Sequence, residues 1–132
     1  MRLLLDTHIW LWSLLEPERL TRRVTTALQS ASNELWLSPI SVWETMQLLE
    51  RGRLEVDAEP SEWVYEMLRA ASLREAPLTH DVAIHAVLVD LPHRDPADRL
   101  IAASAKVHEL TLVTADDRLL GLREIATLAN RA

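Results

Sequence analysis

Short apolar runs recur along the chain, and each is flanked by polar residues or turn signals. Arg2–Leu5, Glu34–Leu37 and Leu110–Val113 have the length and the bulky side chains of strands buried in a parallel sheet. Glu75–Leu78 and Arg123–Ala126 are weaker runs of the same kind, and we interpret them as short strands. The hydrophobic pattern therefore predicts a small sheet whose strands are widely separated in sequence.

Amphipathic stretches fill the segments between these runs, and two of them start with a clear capping signal. Ser38 with Pro39, and Asp95 with Pro96, each place an N-cap residue before a proline at the first helical position. Strands that alternate with helices are typical of an α/β fold with a mostly parallel sheet. The predicted helices are Thr7–Leu15, Thr21–Ser32, Pro39–Arg51, Pro60–Ser72, His80–Val89, one that runs from Asp95 through Ala105, and a single turn over Asp116–Leu120, with a non-helical turn at Pro92–Arg94.

The composition is that of one globular domain over residues 1–132, with 48% hydrophobic and 26% charged residues. The absence of cysteine excludes disulfides and thiolate metal sites, and it agrees with the cytoplasm, where we expect the protein. Two glycines are too few for a Gly-rich phosphate loop. No apolar run is long enough for a membrane span, and Asp6 interrupts the apolar start, so we expect no membrane association.

Four acids follow the predicted strands at the edge where open parallel sheets bind ligands. Asp6 ends the first strand, and Asp116 comes shortly after the fourth. Glu44 lies two turns into the helix after the second strand, and Asp98 lies in the first turn of the later Asp-Pro helix. With these strand assignments, the sequence places the four carboxylates near one edge of the sheet.

Each acid also has a purely structural interpretation. Asp6 and Asp95 could cap the helices that follow them. Asp98, at the third helical position, could complete a capping box and interact favourably with the helix dipole. Asp116 could be a turn residue. Glu44 has the weakest structural interpretation, because its helix is already capped and its neighbours are apolar.

A cluster of carboxylates is easier to explain with a bound cation than without one. Two carboxylates about 4 Å apart repel by about 4 kcal/mol at an effective dielectric constant near 20. Hard divalent ions such as Mg²⁺ or Mn²⁺ reverse this penalty, because they prefer carboxylate oxygens and water. The net charge of −6 likewise means that a nucleic-acid partner would need bound cations. Such an ion could activate water and stabilise the charge on a phosphodiester.

Four stretches, LLLDTHIWLW, SPISVWETMQL, HRDPADRLIAASA and TLVTADDRL, resemble those of PIN-domain ribonucleases in the same order and spacing. The resemblance covers nearly the whole chain and points to the VapC-like toxins of type II toxin–antitoxin systems. It implies a PIN-like three-layer α/β/α sandwich with a short, mostly parallel sheet. It also implies Mg²⁺-dependent hydrolysis of RNA by water, with Mn²⁺ as an alternative ion, leaving a 5′-phosphate and a 3′-hydroxyl.

The resemblance also implies roles for individual residues. Thr114 would position the last acid or a water molecule. Asp95 remains mainly a helix cap, and Asp117 receives no firm role. The catalytic, metal-binding acids implied by the resemblance, with the first as the central ligand, are Asp6, Glu44, Asp98 and Asp116.

Macromolecular partners follow from the same resemblance. The substrate would be a structured RNA of the tRNA or rRNA class, a cognate antitoxin would neutralise the toxin, and the protein would form a homodimer. In this family the early helices form the antitoxin groove. The apolar side chains that we expect to be partly exposed and to face the antitoxin are Trp10, Trp12, Leu14 and Trp43.

The basic side chains near the acids have two interpretations each. His8 could contact phosphate or water at the mouth of the site, or be an ordinary residue of the first helical turn. Arg99 could pair with a neighbouring acid or reach phosphate, and we favour the ion pair. His80, His85, His93 and His108 lack the spacing of zinc ligands. Six further arginines are interpreted mainly as solvated surface that could also contact the RNA backbone: Arg22, Arg23, Arg51, Arg53, Arg94 and Arg118.

Two other function classes remain open at the level of sequence. A haloacid-dehalogenase-like phosphohydrolase also places an aspartyl nucleophile after its first strand. That class needs a second aspartate two residues later, where this chain has His8, and a downstream lysine, for which Lys106 is the one candidate. A non-catalytic module could instead bind RNA or a protein partner through the same acidic pocket.

Overall fold

A computed structural model describes residues 1–92 and 94–131, so His93 of the predicted turn at Pro92–Arg94 lies outside the described residues. Five short strands form one all-parallel sheet in the order β3-β2-β1-β4-β5. β1 lies at the centre, where Leu4 pairs with Trp36 of β2 and with Leu112 of β4. The strands are β1 Arg2–Leu5, β2 Glu34–Leu37, β3 Leu73–Glu75, β4 Thr111–Thr114 and β5 Thr127–Ala129.

Helices connect consecutive strands and cover the sheet. The predicted caps are confirmed, since the side chains of Ser38 and Asp95 accept hydrogen bonds from the backbone at the starts of α3 and α6. The helices, besides one 3₁₀ turn at Pro17–Arg19, are α1 Thr7–Leu15, α2 Arg22–Gln29, α3 Pro39–Glu50, α4 Pro60–Ala70, α5 His80–Leu88, α6 Pro96–Val107 and α7 Asp117–Leu120.

The core lies on both faces of the sheet, because successive strand residues point to opposite sides. Leu3 and Leu5 of β1 pack into one cluster with residues of α1 to α4, whereas Leu4 packs on the other face with Ile101 and Ala105 of α6. The predicted three-layer α/β/α sandwich is therefore confirmed. Among the helices of residues 1–92 and 94–131, none has the length and apolar character needed to cross a membrane.

The two weakest strand predictions are wrong in position. The third strand is Leu73–Glu75 rather than Glu75–Leu78, because the half-buried Leu73 packs on the core in register with Leu35. The last strand is Thr127–Ala129 rather than Arg123–Ala126, because the buried residue that anchors it to β4 is Leu128. Both are edge strands of three residues, too short to show an alternating pattern of their own.

The expectation that Trp10 faces a partner is also wrong. Only 1% of Trp10 is exposed, and its side chain packs from α1 into the core cluster that contains Leu3 and Leu5. Trp12 and Leu14 are half-buried, and 56% of Trp43 is exposed. The last three residues thus have the partial exposure that the sequence predicted, whereas Trp10 is a core residue.

Candidate active site

The carboxyl edge of β1 and β4 brings the predicted acids around one cavity of about 480 Å³. Leu5 pairs with Val113, so Asp6 and the segment after β4 leave the sheet side by side, and the Asp6 N–H donates to the Val113 carbonyl oxygen at 3.0 Å. The residues that line this acid pocket are Asp6, Thr7, His8, Trp12, Glu44, Asp95, Asp98, Ala115, Asp116 and Arg118. A larger cavity, of about 870 Å³, is lined by the ends of α1 and α3, the loop after α3, and α4, and it shares none of these residues.

Asp6 is held rigidly at the bottom of the acid pocket. Its Oδ1 accepts a hydrogen bond from the Thr7 N–H at 2.9 Å, so the predicted helix cap is confirmed. Its Oδ2 accepts a hydrogen bond from the Thr114 hydroxyl at 2.7 Å. Burial raises the pKa of Asp6, and the nearby Asp98 carboxylate raises it further. Asp6 is therefore a buried acid whose charge is costly in the absence of a cation.

Thr114 connects two of the acids through one hydroxyl group. It donates to Asp6 and accepts from the Asp116 N–H at 3.0 Å. The sequence predicted a contact to Asp116 or to water, and the structure adds the contact to the Asp6 side chain. Thr114 itself is fully buried, so it fixes the position of Asp6 relative to the start of α7.

Glu44 is fixed by two hydroxyl residues that the sequence analysis missed. The Thr7 hydroxyl lies 2.6 Å from Glu44 Oε1 and 2.8 Å from the Ser41 Oγ. A hydroxyl carries one proton and an ionised carboxylate only accepts, so the Thr7 hydroxyl donates to Glu44. The Thr7 oxygen then accepts a hydrogen bond from the Ser41 hydroxyl. The available sequence signals were that Thr7 follows Asp6 directly and that Ser41 lies one helical turn before Glu44.

The remaining acids are held at helix starts. Asp95 Oδ1 accepts from the Ala97 N–H at 3.0 Å, which confirms it as a cap, and it also lines the acid pocket. Asp98 lies in the first turn of α6, as the sequence predicted. Asp116 caps α7, and the exposed Asp117 next to it contacts Arg131.

The Arg118 side chain enters the acid pocket, although the sequence suggested mainly solvated surface. Its Nε lies 3.2 Å from Asp116 Oδ1 and its Nη2 lies 3.0 Å from Asp116 Oδ2, which is a bidentate pair. The same Nη2 is 3.9 Å from Asp98 Oδ2. His8 is exposed at the mouth of the pocket and stacks at a tilt on Trp12, with the ring centroids 5.9 Å apart.

The predicted ion pair of Arg99 is wrong. Its guanidinium donates to four backbone carbonyl oxygens at the end of α5 and just beyond, at 3.0 to 3.4 Å. These carbonyl groups lack helical partners because the helix ends there, and the planar fork of N–H donors on Arg99 satisfies them. Arg99 thus ties α6, which carries Asp98, to the end of α5. The four accepting residues are Ala86, Val87, Val89 and Leu91.

The donor set of the acid pocket suits a hard divalent cation. All the acids that line it offer carboxylate oxygens, and their mutual repulsion contributes to the raised pKa of Asp6 and of Glu44. Within residues 1–92 and 94–131, no three carboxylate or imidazole groups converge closely enough to hold an ion as they stand. An ion held there would therefore need water molecules to complete its coordination, or a shift of the carboxylate side chains.

Neutralising Glu44 is expected to stabilise the protein in the absence of metal. Burial raises the pKa of Glu44, and the carboxylates of Asp95, Asp98 and Asp6 add to this shift. A carboxyl group with a raised folded-state pKa stabilises the fold below its unfolded pKa and loses that contribution as the pH rises through the folded value. Glu44→Gln should therefore melt above the wild type at pH 7 in EDTA, with the difference vanishing below about pH 4.

Differential scanning calorimetry over this pH range measures the effect. Glu50→Gln, an exposed acid at the end of the same helix, is the matched control and should change the melting temperature little. A Glu44→Gln protein that melts at or below the wild type at pH 7 would contradict the destabilising effect of burial and repulsion on the ionised Glu44.

The fold and the acid-lined edge of the sheet define a class of small α/β domains, and comparison with known families identifies it. The chain belongs to the PIN domain family, whose model matches residues 3–126. It is 38% identical over 119 residues to ribonuclease VapC22 of Mycobacterium tuberculosis, with 88% of both chains covered.

Solved structures give the same fold. The chain is similar to a chain of VapBC2 from Rickettsia felis bound to a DNA fragment from their promoter, with a TM-score of 0.72, 16% identity and 98% of each chain covered. It is also similar to a chain of FitAcB from Neisseria gonorrhoeae, with a TM-score of 0.66, 23% identity and 97% of each chain covered. At these identities the likeness shows the shared architecture.

Proposed function

We propose that the protein is a metal-dependent endoribonuclease and acts as the toxin of a toxin–antitoxin pair. The observation that carries this proposal is that Asp6, Glu44, Asp98 and Asp116 all line one cavity at the carboxyl edge of the sheet. Family membership and 38% identity to a ribonuclease support it. The substrate in this proposal is a structured RNA of the tRNA or rRNA class.

Mg²⁺ is the proposed cofactor, with Mn²⁺ as the alternative. Asp6 would be the central ligand, and Glu44, Asp98 and Asp116 would complete the site directly or through water. The bound ion would activate a water molecule and offset charge on the phosphodiester. The chain's own contribution is orientation: Thr114 holds Asp6, and Thr7 holds both the Asp6 carboxylate, through its N–H, and Glu44, through its hydroxyl.

The proposed protein partner is a cognate antitoxin. Similar solved structures include VapBC complexes, a toxin–antitoxin complex and FitAB bound to a DNA fragment. On this chain the partly exposed apolar residues Trp12, Leu14 and Trp43 are the proposed contact residues, without the buried Trp10.

The other two function classes explain the geometry less well. A phosphohydrolase with an aspartyl nucleophile needs a second aspartate two residues after the first, where this chain has the exposed His8. Lys106 lies at the other end of α6, where it pairs with Glu124 at 3.0 Å and lines no part of the acid pocket. A binding module alone would not need acids such as Asp6 and Glu44, whose pKa is raised by burial and by repulsion from the neighbouring carboxylates.

Incubation of the purified protein with total RNA tests the proposed function. Cleavage is expected with Mg²⁺ or Mn²⁺, none is expected with EDTA, and the new ends should carry 5′-phosphates. Tight RNA binding without cleavage in any metal would contradict the proposal and favour a binding module. A trapped phospho-aspartate at Asp6 would contradict it in favour of the phosphohydrolase.

Removing the Thr7 hydroxyl is expected to weaken both metal binding and cleavage. Thr7→Val keeps the shape of the side chain but leaves Glu44 without its donor, and loss of such a supporting contact typically costs about 10–100-fold in metal affinity or activity. Thr7→Ser restores the hydroxyl and should recover most of both. The measurements are Mn²⁺ affinity by calorimetry and kcat/KM on RNA. A Thr7→Val protein with wild-type values would show that Thr7 does not position Glu44.

A further inference from the structure

Arg118 combines three structural properties that ordinary surface arginines do not share. It lines the acid pocket, it forms a bidentate pair with Asp116, and its Nη2 approaches Asp98 at 3.9 Å. Among the described residues that line this pocket, it is the one arginine, and no lysine accompanies it. The guanidinium therefore lies beside two carboxylates from different elements, α6 and the start of α7.

A guanidinium in this position acts on the carboxylates in the same direction as a bound divalent ion, with one positive charge instead of two. Carboxylates of Asp98 and Asp116 that face one pocket repel each other, and a positive group next to both reduces this repulsion. The Asp98 and Asp116 side chains are 16% and 26% exposed, so the contact is partly shielded from water. The Arg118 side chain is 53% exposed, so it can leave the carboxylates and still be solvated.

We propose that Arg118 is the internal counter-cation of the metal-free site and becomes a phosphate-binding residue when a divalent ion takes its place. The inference rests on the proposed ribonuclease function. A directly bound ion and the guanidinium compete for the same carboxylate oxygens of Asp116, because two cations at one carboxylate repel each other. Displaced from Asp116, the guanidinium remains at the rim of the pocket.

The RNA phosphate is the proposed new partner of the displaced side chain. The planar guanidinium fork matches two phosphate oxygens as it matches the two oxygens of Asp116. The attachment of Arg118 to α7, two residues after Asp116, keeps it within one side-chain length of the pocket. The exchange would keep a positive charge near the acids in the empty protein and near the phosphate in the substrate complex.

Mn²⁺ titration of the metal-free protein tests the competition without using RNA. The Arg118 side chain is largely exposed, so its ion pair is weak, and Arg118→Gln should bind Mn²⁺ only about two- to fivefold more tightly than the wild type. Arg123→Gln removes the same charge from an exposed arginine outside the acid pocket and should leave the Mn²⁺ affinity unchanged. Equal or weaker Mn²⁺ binding by Arg118→Gln than by Arg123→Gln would overturn the proposal.

RNA cleavage at saturating Mn²⁺ tests the proposed contact between Arg118 and the RNA phosphate. Loss of one phosphate contact should raise KM more than it lowers kcat, and it should reduce the salt dependence of RNA binding by about one ion. An unchanged KM in Arg118→Gln would overturn the phosphate role. Absence of cleavage by the wild type would overturn the proposed function and the phosphate role with it, and the Mn²⁺ titration would still decide the competition.

Discussion

Asp6→Asn is expected to lower the rate of RNA cleavage by roughly 1,000-fold or more while the protein stays folded. The asparagine oxygen can still accept a hydrogen bond from Thr7 or Thr114, so the helix cap is largely kept. The negative charge that would hold the metal ion is lost, and metal ions supply several kcal/mol of transition-state stabilisation. The cleavage rate at saturating RNA measures the loss, and the melting temperature reports the fold.

Asp117→Asn is the matched control for this change. Asp117 is an exposed acid that lies next to Asp116 in sequence and does not line the acid pocket. Its substitution should leave the cleavage rate within about twofold of the wild type, as expected for a surface change. An Asp6→Asn protein that is folded and cleaves RNA at the wild-type rate would remove Asp6 from the catalytic site.

The largest expected effect on stability comes from Arg99→Ala. This substitution removes four hydrogen bonds to carbonyl oxygens at the end of α5 and just beyond. Hydrogen bonds from charged groups and the exposure of unpaired carbonyl groups together suggest a loss of about 2–4 kcal/mol. For a chain of this size that corresponds to a fall in melting temperature of roughly 10 °C.

Two further variants show whether the planar fork of N–H donors on Arg99 is responsible for the stability that Arg99→Ala loses. Arg99→Lys keeps the charge but replaces the planar fork by one ammonium group, so it should recover only part of the lost stability. Arg123→Ala, at an exposed arginine, should change the free energy of unfolding by less than about 0.5 kcal/mol. Chemical denaturation that places Arg99→Ala within that same range would contradict the structural role.

Elements with strong local signals could be predicted from the sequence almost to the residue. The Ser38 and Asp95 caps fix where α3 and α6 start, because cap and proline act on the nearest backbone groups. The edge strands could not be predicted in this way. Their positions depend on pairing with β2 and β4, as when Leu73 aligns with Leu35, and no local pattern encodes that register.

The candidate site shows the same difference between features encoded locally and features that depend on long-range contacts. The acids could be predicted because the order of strands in a parallel sheet brings their carboxyl ends together, and Asp6 and Asp116 follow neighbouring strands. The groups that hold the acids in place could not be predicted from the sequence, because their contacts join distant parts of the chain. Thr7 reaches Glu44 across 37 positions, and Arg99 finds the end of α5 instead of a neighbouring acid.

We propose that four carboxylates of the acid pocket, those of Asp6, Glu44, Asp98 and Asp116, form a divalent metal site. Anomalous diffraction from crystals of the protein soaked in Mn²⁺ tests it most directly. We predict an anomalous peak within about 2.5 Å of an Asp6 oxygen, with Glu44, Asp98 or Asp116 in the same coordination sphere, directly or through water. An anomalous map with no peak in the acid pocket at millimolar Mn²⁺, or with its peak at other residues, would contradict the claim.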